Sequence, residues 1–254
     1  MLHERVKLIL NADDLGLSPA VNDAILAALA DGTCTSTSVL GNGPATAALA
    51  GQLERFSGVS VGVHLNLTEF APLTAVPLLQ PLLQDGLLCA RSLEITRAQA
   101  DSVYDEWCAQ VLAVRELGAP LSHLDSHQHV HYHPVLFRVL KRVQARFGIV
   151  RVRGKASWRL GGGPGALAQI VQAGLFGRKL RMETPEAVTT EGFGSVRVFR
   201  ELLAGGLLAG STFEIMCHPG NPHDPAYAEE MDWLRGDWRA GRPDLALTSW
   251  WGVD

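Results

Sequence analysis

Cysteine is scarce in this 254-residue chain, and its four copies, Cys34, Cys89, Cys108 and Cys217, nowhere form a C-x-x-C spacing. That argues against a disulfide framework and predicts free thiols in a reducing compartment. Cys217 stands beside His218, but neighbours on a strand point to opposite faces, so a buried thiol is favoured over a Cys-His nucleophile. No apolar run approaches the roughly 20 residues that span a bilayer. Residues 1–11 carry a charged opening and a five-residue apolar run, which is no signal peptide. A cytoplasmic protein with no membrane partner is expected. Basic charge is not in excess: 22 Lys and Arg against 26 Asp and Glu leave a net charge of −4, which argues against nucleic acid as a partner. A G-x-S-x-G elbow is missing, so a Ser-His-Asp hydrolase lacks support. The glycines of residues 161–165 match neither a P-loop nor a dinucleotide fingerprint and read as a flexible loop.

Histidine, in contrast, is concentrated. Five of the nine, His123, His127, His129, His131 and His133, fall within residues 122–134, with Asp125 among them. Imidazole is the commonest protein metal ligand and an acid or base near neutral pH. In an extended segment Asp125, His127, His129, His131 and His133 share one face.

The surrounding chain alternates strand and helix. An apolar run at residues 6–10 reads as a buried strand, and residues 35–40, 59–67, 121–127, 149–153 and 211–217 read as further strands, with a short strand and loop at 187–193. Helices are expected at 20–30 (Ser18 as cap, Pro19 in the first turn), 44–56, 96–117, 134–147, in part of 166–181, at 196–204, and from 224 to 239. Residues 70–89, with three prolines, read as a long functional loop. This rhythm predicts an α/β protein: one domain over residues 1–254, folded as an incomplete TIM-like (β/α) barrel. Six or seven strands fall short of the eight of a closed barrel, and a doubly wound open sheet is the runner-up. Both architectures place their sites at the carboxyl ends of the strands. Asp13, Asp14, His64, His127 and His218 stand at or near such ends.

Two histidines and a carboxylate, His64, His127 and one of Asp13 or Asp14, can hold a catalytic divalent metal. The other aspartate can accept a proton from the attacking water. His218 suits a general acid, although a structural histidine in a turn is about as good a reading. Zinc fits the donor set by softness, whereas magnesium prefers oxygen.

The ordered motifs N-A-D-D-L-G-L-S at residues 11–18, T-S-T-S at 35–38, G-V-H-L-N-L-T at 62–68, H-L-D-S-H-Q-H-V-H at 123–131 and M-C-H-P at 216–219 resemble the YdjC/ChbG-like carbohydrate deacetylases. The resemblance implies removal of an N-acetyl group from an N-acetylated mono- or oligosaccharide, chitooligosaccharides being the best-described case. It implies Asp14, His64 and His127 as ligands of one divalent ion (magnesium or zinc), Asp13 as base and His218 as candidate acid. Asn66, Asp125, His129 and Arg153 are expected to touch substrate or to support the ligands from behind, with His131 and His133 on the rim. A homodimer is admitted. Residues 189–193 resemble a substrate-side loop, with Glu191 at a variable position, and residues 70–93 depart from the family pattern. A non-catalytic carbohydrate- or metal-binding protein on the same barrel is the alternative, and the pairing of Asp13 with Asp14 speaks against it.

Overall fold

The computed structural model describes residues 5–75, 77–89, 95–154, 175–176, 178–180, 184, 186–208, 211–223 and 225–254. The expected glycine-rich loop, and all but a few residues of the helix expected over 166–181, lie outside these residues. Strand β1 (Val6–Leu15) opens the fold. Ser18 accepts a hydrogen bond from the Val21 amide and starts α1 (Pro19–Ala30), with proline in the first turn where no N–H is needed. Next come β2 (Ser36–Val39), β3 (Ser60–Leu65), the hairpin β4 (Leu83–Gln84) and β5 (Leu87–Leu88), α2 (Ala100–Arg115), β6 (Leu121–Ser126) and α3 (Pro134–Phe147). The chain continues through β7 (Arg151–Val152), β8 (Gly192–Ser195), α4 (Val196–Ala204), β9 (Thr212–Cys217), α5 (Ala226–Arg235) and β10 (Leu245–Thr248).

The main sheet runs β7-β6-β3-β2-β1-β9-β8, and β10 pairs with the first half of β1. Every pairing in it is parallel. Its two edges turn toward each other. Arg151 bridges to Val188 ahead of β8, and the Arg153 guanidinium, just past β7, lies 4.8 Å from the Phe193 ring on β8. The same guanidinium bonds Glu214 on β9. The sheet is thus curled into an incomplete barrel, and the open doubly wound alternative does not hold.

Strand alternation sorts the side chains. On β1, Leu8, Leu10 and Ala12 join the main core with Ile25, Trp107, Leu140 and Phe199 from the helices. Ile9 instead packs with Trp250 and Val253, while Asn11 and Asp13 bond each other. On β3, β6 and β9 the same division gives His64, His123, Asp125 and Glu214 an inward, fully buried place. The barrel interior is therefore polar toward its carboxyl end and must be satisfied internally.

Several expected elements differ. Among the described residues the main sheet holds eight strands, because residues 245–248 add one. The helix expected over 44–56 is only a 3-10 turn, Thr46–Leu49, because Gly51 adopts a positive φ of 68° and so short an alanine segment has little apolar surface to bury. The last helix stops at Arg235. The expected long loop carries the β4–β5 hairpin. The strand of the histidine cluster ends at Ser126, and Gln128 and His129 take left-handed φ values of 51° and 57°. The shared face therefore does not extend from Asp125 through His133. Ser126 causes the turn, its hydroxyl accepting the His131 amide at 3.0 Å and contacting the His131 ring.

Gly62 shows how tight the interior is. A Cβ there would lie 2.4 Å from the His123 imidazole, which stacks on Trp250 at 5.0 Å. Gly62→Ala should cost about 1–3 kcal/mol in urea unfolding. In a His123→Ala background that penalty should shrink. An equal penalty in both backgrounds would mean the contact is not its cause.

Candidate active site and metal centre

Two successive aspartates on a strand would normally face opposite ways. Here Asp14 adopts a left-handed φ of 71°, which aspartate tolerates better than most residues, and both carboxylates reach the same cavity. Asp14 Oδ1 lies 2.9 Å from His127 Nδ1 and 3.4 Å from His64 Nε2. Its other oxygen accepts from Asn221 Nδ2 at 3.1 Å. One ligand atom from each of Asp14, His64 and His127 falls within 4.8 Å of the others. Behind this cluster, His64 Nδ1 is fixed by Asp125 Oδ1 at 2.8 Å and lies 3.1 Å from Ser38 Oγ. A carboxylate behind an imidazole is the usual way to orient a histidine toward a metal. His127 Nε2 lies 3.5 Å from Glu69 Oε1.

Asp13, His64 and Asp125 form a second convergent group, but a cation already occupies it. Arg153, fully buried, grips Asp13 with two bonds of 2.7 Å, meets Asp125 Oδ2 at 2.9 Å and donates to Glu214 Oε1 at 2.8 and 2.9 Å. This fork of donors matches carboxylates as a lysine could not. The first group is therefore the metal candidate.

Protonation follows from these contacts. Burial works to raise the pKa of Asp14, but hydrogen bonds from His127 and His64 hold it well below the carboxylate range. Burial likewise opposes ionisation of Asp13, and the Arg153 charge overrides it. Glu214 is pushed up to about 7 by burial that Arg153 only partly offsets. His64 and His127 are lifted against burial, to about 10 by Asp125 and Asp14 and to about 9 by Asp14 and Glu69. Burial pushes His129 down to about 4 and also lowers His218, leaving both neutral at pH 7.

The cavity has a volume of about 350 Å³ and is lined by Asp13, Asp14, His64, His127, His129 and His218, among others. His218 stacks on Tyr227 at 4.5 Å. Asp125 and Arg153 lie behind the ligands, wholly buried, and neither lines this cavity. Asn66 is also fully buried and outside it: its amide holds the Thr68 and Glu69 backbone, because a strand ending at Leu65 needs those polar groups satisfied. His131 is not on a rim but buried, with its pKa pressed down to about 3 by burial. His133 caps α3, accepting from the Val135 amide. The sequence reading missed Ser38, Glu69, Asn221 and Glu214. Ser38 lies within the T-S-T-S motif and Glu214 on the expected last strand, so both were visible as polar residues on expected strands. Glu69 and Asn221 sit in loops that carry no periodic signal.

A parallel, incomplete α/β barrel with converging imidazoles and carboxylates at its carboxyl mouth defines an enzyme of the barrel class. The chain belongs to the YdjC-like protein family, whose model matches residues 7–241. A carbohydrate deacetylase of Halalkalibacterium halodurans is 31% identical over 236 residues, 89% of this chain and 87% of that protein. One from Vibrio campbellii is 36% identical over 147 residues, 57% of each chain. Among solved structures, an Enterococcus faecalis V583 protein provisionally named for cellobiose-phosphate cleavage matches with a TM-score of 0.74. It covers 97% of this chain and 98% of its own at 22% identity, which shows a shared fold.

Two predictions follow from these charges. Replacing Arg153 with methionine leaves three carboxyl groups buried without their cation. It should cost about 3–5 kcal/mol in denaturant unfolding. A loss of about 1 kcal/mol or less, typical of an exposed ion pair, would contradict the network. Ion binding requires neutral imidazoles, yet His64 and His127 are protonated near neutral pH without metal. Divalent-ion uptake should therefore release protons, and affinity should climb as pH rises toward 9–10. Calorimetry in two buffers of different ionisation enthalpy reads the proton count, and a pH-independent affinity would contradict the assignment.

Proposed function

We propose that this protein is a metal-dependent hydrolase that removes an N-acetyl group from an N-acetylated mono- or oligosaccharide. The carrying observation is the convergence of Asp14, His64 and His127 beside an Asp13 that Arg153 keeps ionised. Family membership and the deacetylase names of its relatives supply the chemistry. Two imidazoles and a carboxylate fit a divalent ion, zinc by softness or magnesium with added oxygen ligands. When bound, the ion supplies Lewis acidity toward the acetyl carbonyl and the attacking water.

The remaining steps belong to the chain. Asp13 faces the cavity ionised and accepts the proton of the attacking water. Arg153 and Asn11 hold both of its oxygens in place, so the base does not rotate away. The same clamp keeps Asp13 a weak base, so the proton it accepts is passed on rather than kept. His218 lines the same cavity and is neutral, so it can take up the proton that Asp13 releases and give it to the leaving amine as the C–N bond breaks, with acetate and free amine as products. Asp125 keeps His64 in one orientation throughout.

The test is acetate release from di-N-acetylchitobiose and related N-acetylated sugars, by native protein, chelator-stripped protein and Asp13→Asn. Stripping should abolish activity and metal return should restore it. Asp13→Asn should retain the ion and lose roughly 10²–10⁴-fold in turnover. Full activity after complete metal removal would contradict this mechanism.

A further inference from the structure

The exposed side of α2 and α3 carries a concentration of positive charge that the deacetylation steps do not use. Helix α3 repeats arginine one turn apart, at Arg138 and Arg142. Like charges at that spacing repel and weaken a helix. The 3-10 turn Arg97–Gln99, which leads into α2, adds Arg97, and Lys179 adds another cation. All of these side chains are exposed, and together they surround one cavity of about 360 Å³. The rest of its described lining is apolar, Pro134 and Val139 included, and holds no carboxylate. In a chain of net charge −4 this is a local reversal of sign.

The cations are steadied from below. Arg142 donates to Asp101 Oδ1 at 2.7 Å and lies 4.0 Å from the centre of the Tyr104 ring on α2. Lys179 Nζ lies 4.5 Å from the centre of the buried Phe137 ring. Aromatic faces attract cations at such distances and restrict where the charges stand. The turn beneath Arg97 is pinned by Gln99, buried, whose Oε1 accepts from the Thr96 amide and hydroxyl at 2.8 and 3.0 Å. Among the described residues Arg97 and Arg138 have no ion-pair partner, so their charge is left uncompensated.

A concavity lined by one sign of charge focuses the field and gathers counter-ions. A metal ion is repelled there, and an apolar ligand leaves the guanidinium groups unmatched. Phosphate matches them: it carries close to two charges at neutral pH, and arginine bonds its oxygens in pairs. A cavity of this size lies at the small end of small-molecule sites, enough for one such group and part of its carrier. None of its lining residues lines the cavity of Asp14, His64 and His127.

We propose that this cavity binds a phosphate group, free or carried as a monoester on a small metabolite, at a site separate from the catalytic one. No residue of the deacetylation steps takes part, so the site stands or falls apart from that reading.

Calorimetry tests it with inorganic phosphate and with glucose 6-phosphate, which has no acetyl group to lose. The proteins are metal-loaded native protein, Arg97→Gln, Arg138→Gln, and Arg200→Gln as a control at an exposed arginine lining neither cavity. At least one of the two compounds should bind native protein with a Kd of about 1 mM or below, which two or three charge-assisted bonds supply. Arg97→Gln and Arg138→Gln should each weaken that binding about tenfold, and Arg200→Gln should leave it within about twofold. Chelator-treated protein should give the same pattern, since the ion takes no part. Tighter binding of the ester supports the site with a metabolite as its ligand, and tighter binding of the free ion supports it with phosphate itself. No saturation by either compound below about 10 mM, an equal loss in Arg200→Gln, or binding that disappears with the metal would overturn the proposal.

Discussion

One buried cation organises this structure. Arg153, wholly enclosed, faces carboxyl groups from β1, β6 and β9, namely Asp13, Asp125 and Glu214. A charge taken so completely from water is tolerated only with excellent pairing. The pairing brings three strands and the residue after β7 to one point, and with the Val188 bridge to the β7 edge it holds the incomplete barrel curled. The same contact divides the carboxylates by task. Asp13 is taken by Arg153, Asp125 is shared between Arg153 and His64 Nδ1, and Asp14, one residue past Asp13 and turned by its left-handed backbone, faces His127 and His64 Nε2.

Electrostatically the Asp14 cluster is balanced by protons on its two histidines. Asp14, Asp125 and Glu69 lift His64 and His127 until both carry protons near neutral pH. A divalent ion held by Asp14, His64 and His127 would displace those protons and leave the local charge close to balanced, while Arg153 balances Asp13. Asp125 serves both halves of the device, steadying the His64 ring on one side and neutralising Arg153 on the other.

Much of this was legible in the sequence. The carboxyl ends of four strands, read from apolar runs and turn residues, do bring Asp13, Asp14, His64, His127 and His218 to one cavity. The register beyond Ser126 was not legible, because a serine hydroxyl that captures the His131 amide ends the strand without a proline or glycine to mark it. Arg153 could be placed on a strand but not paired, since its partners lie 28, 61 and 140 residues away and only closure of the barrel brings them in. Asn66 looked like a neighbour of His64 on one face, yet the strand ends between them in effect, and its amide turned back to the loop.

Anomalous diffraction from crystals grown with zinc would test the central assignment most directly. The account places one strong peak among Asp14, His64 and His127, with Arg153 still gripping Asp13 and Asp125. A peak among Asp13, His64 and Asp125, with the Arg153 guanidinium displaced, would contradict it.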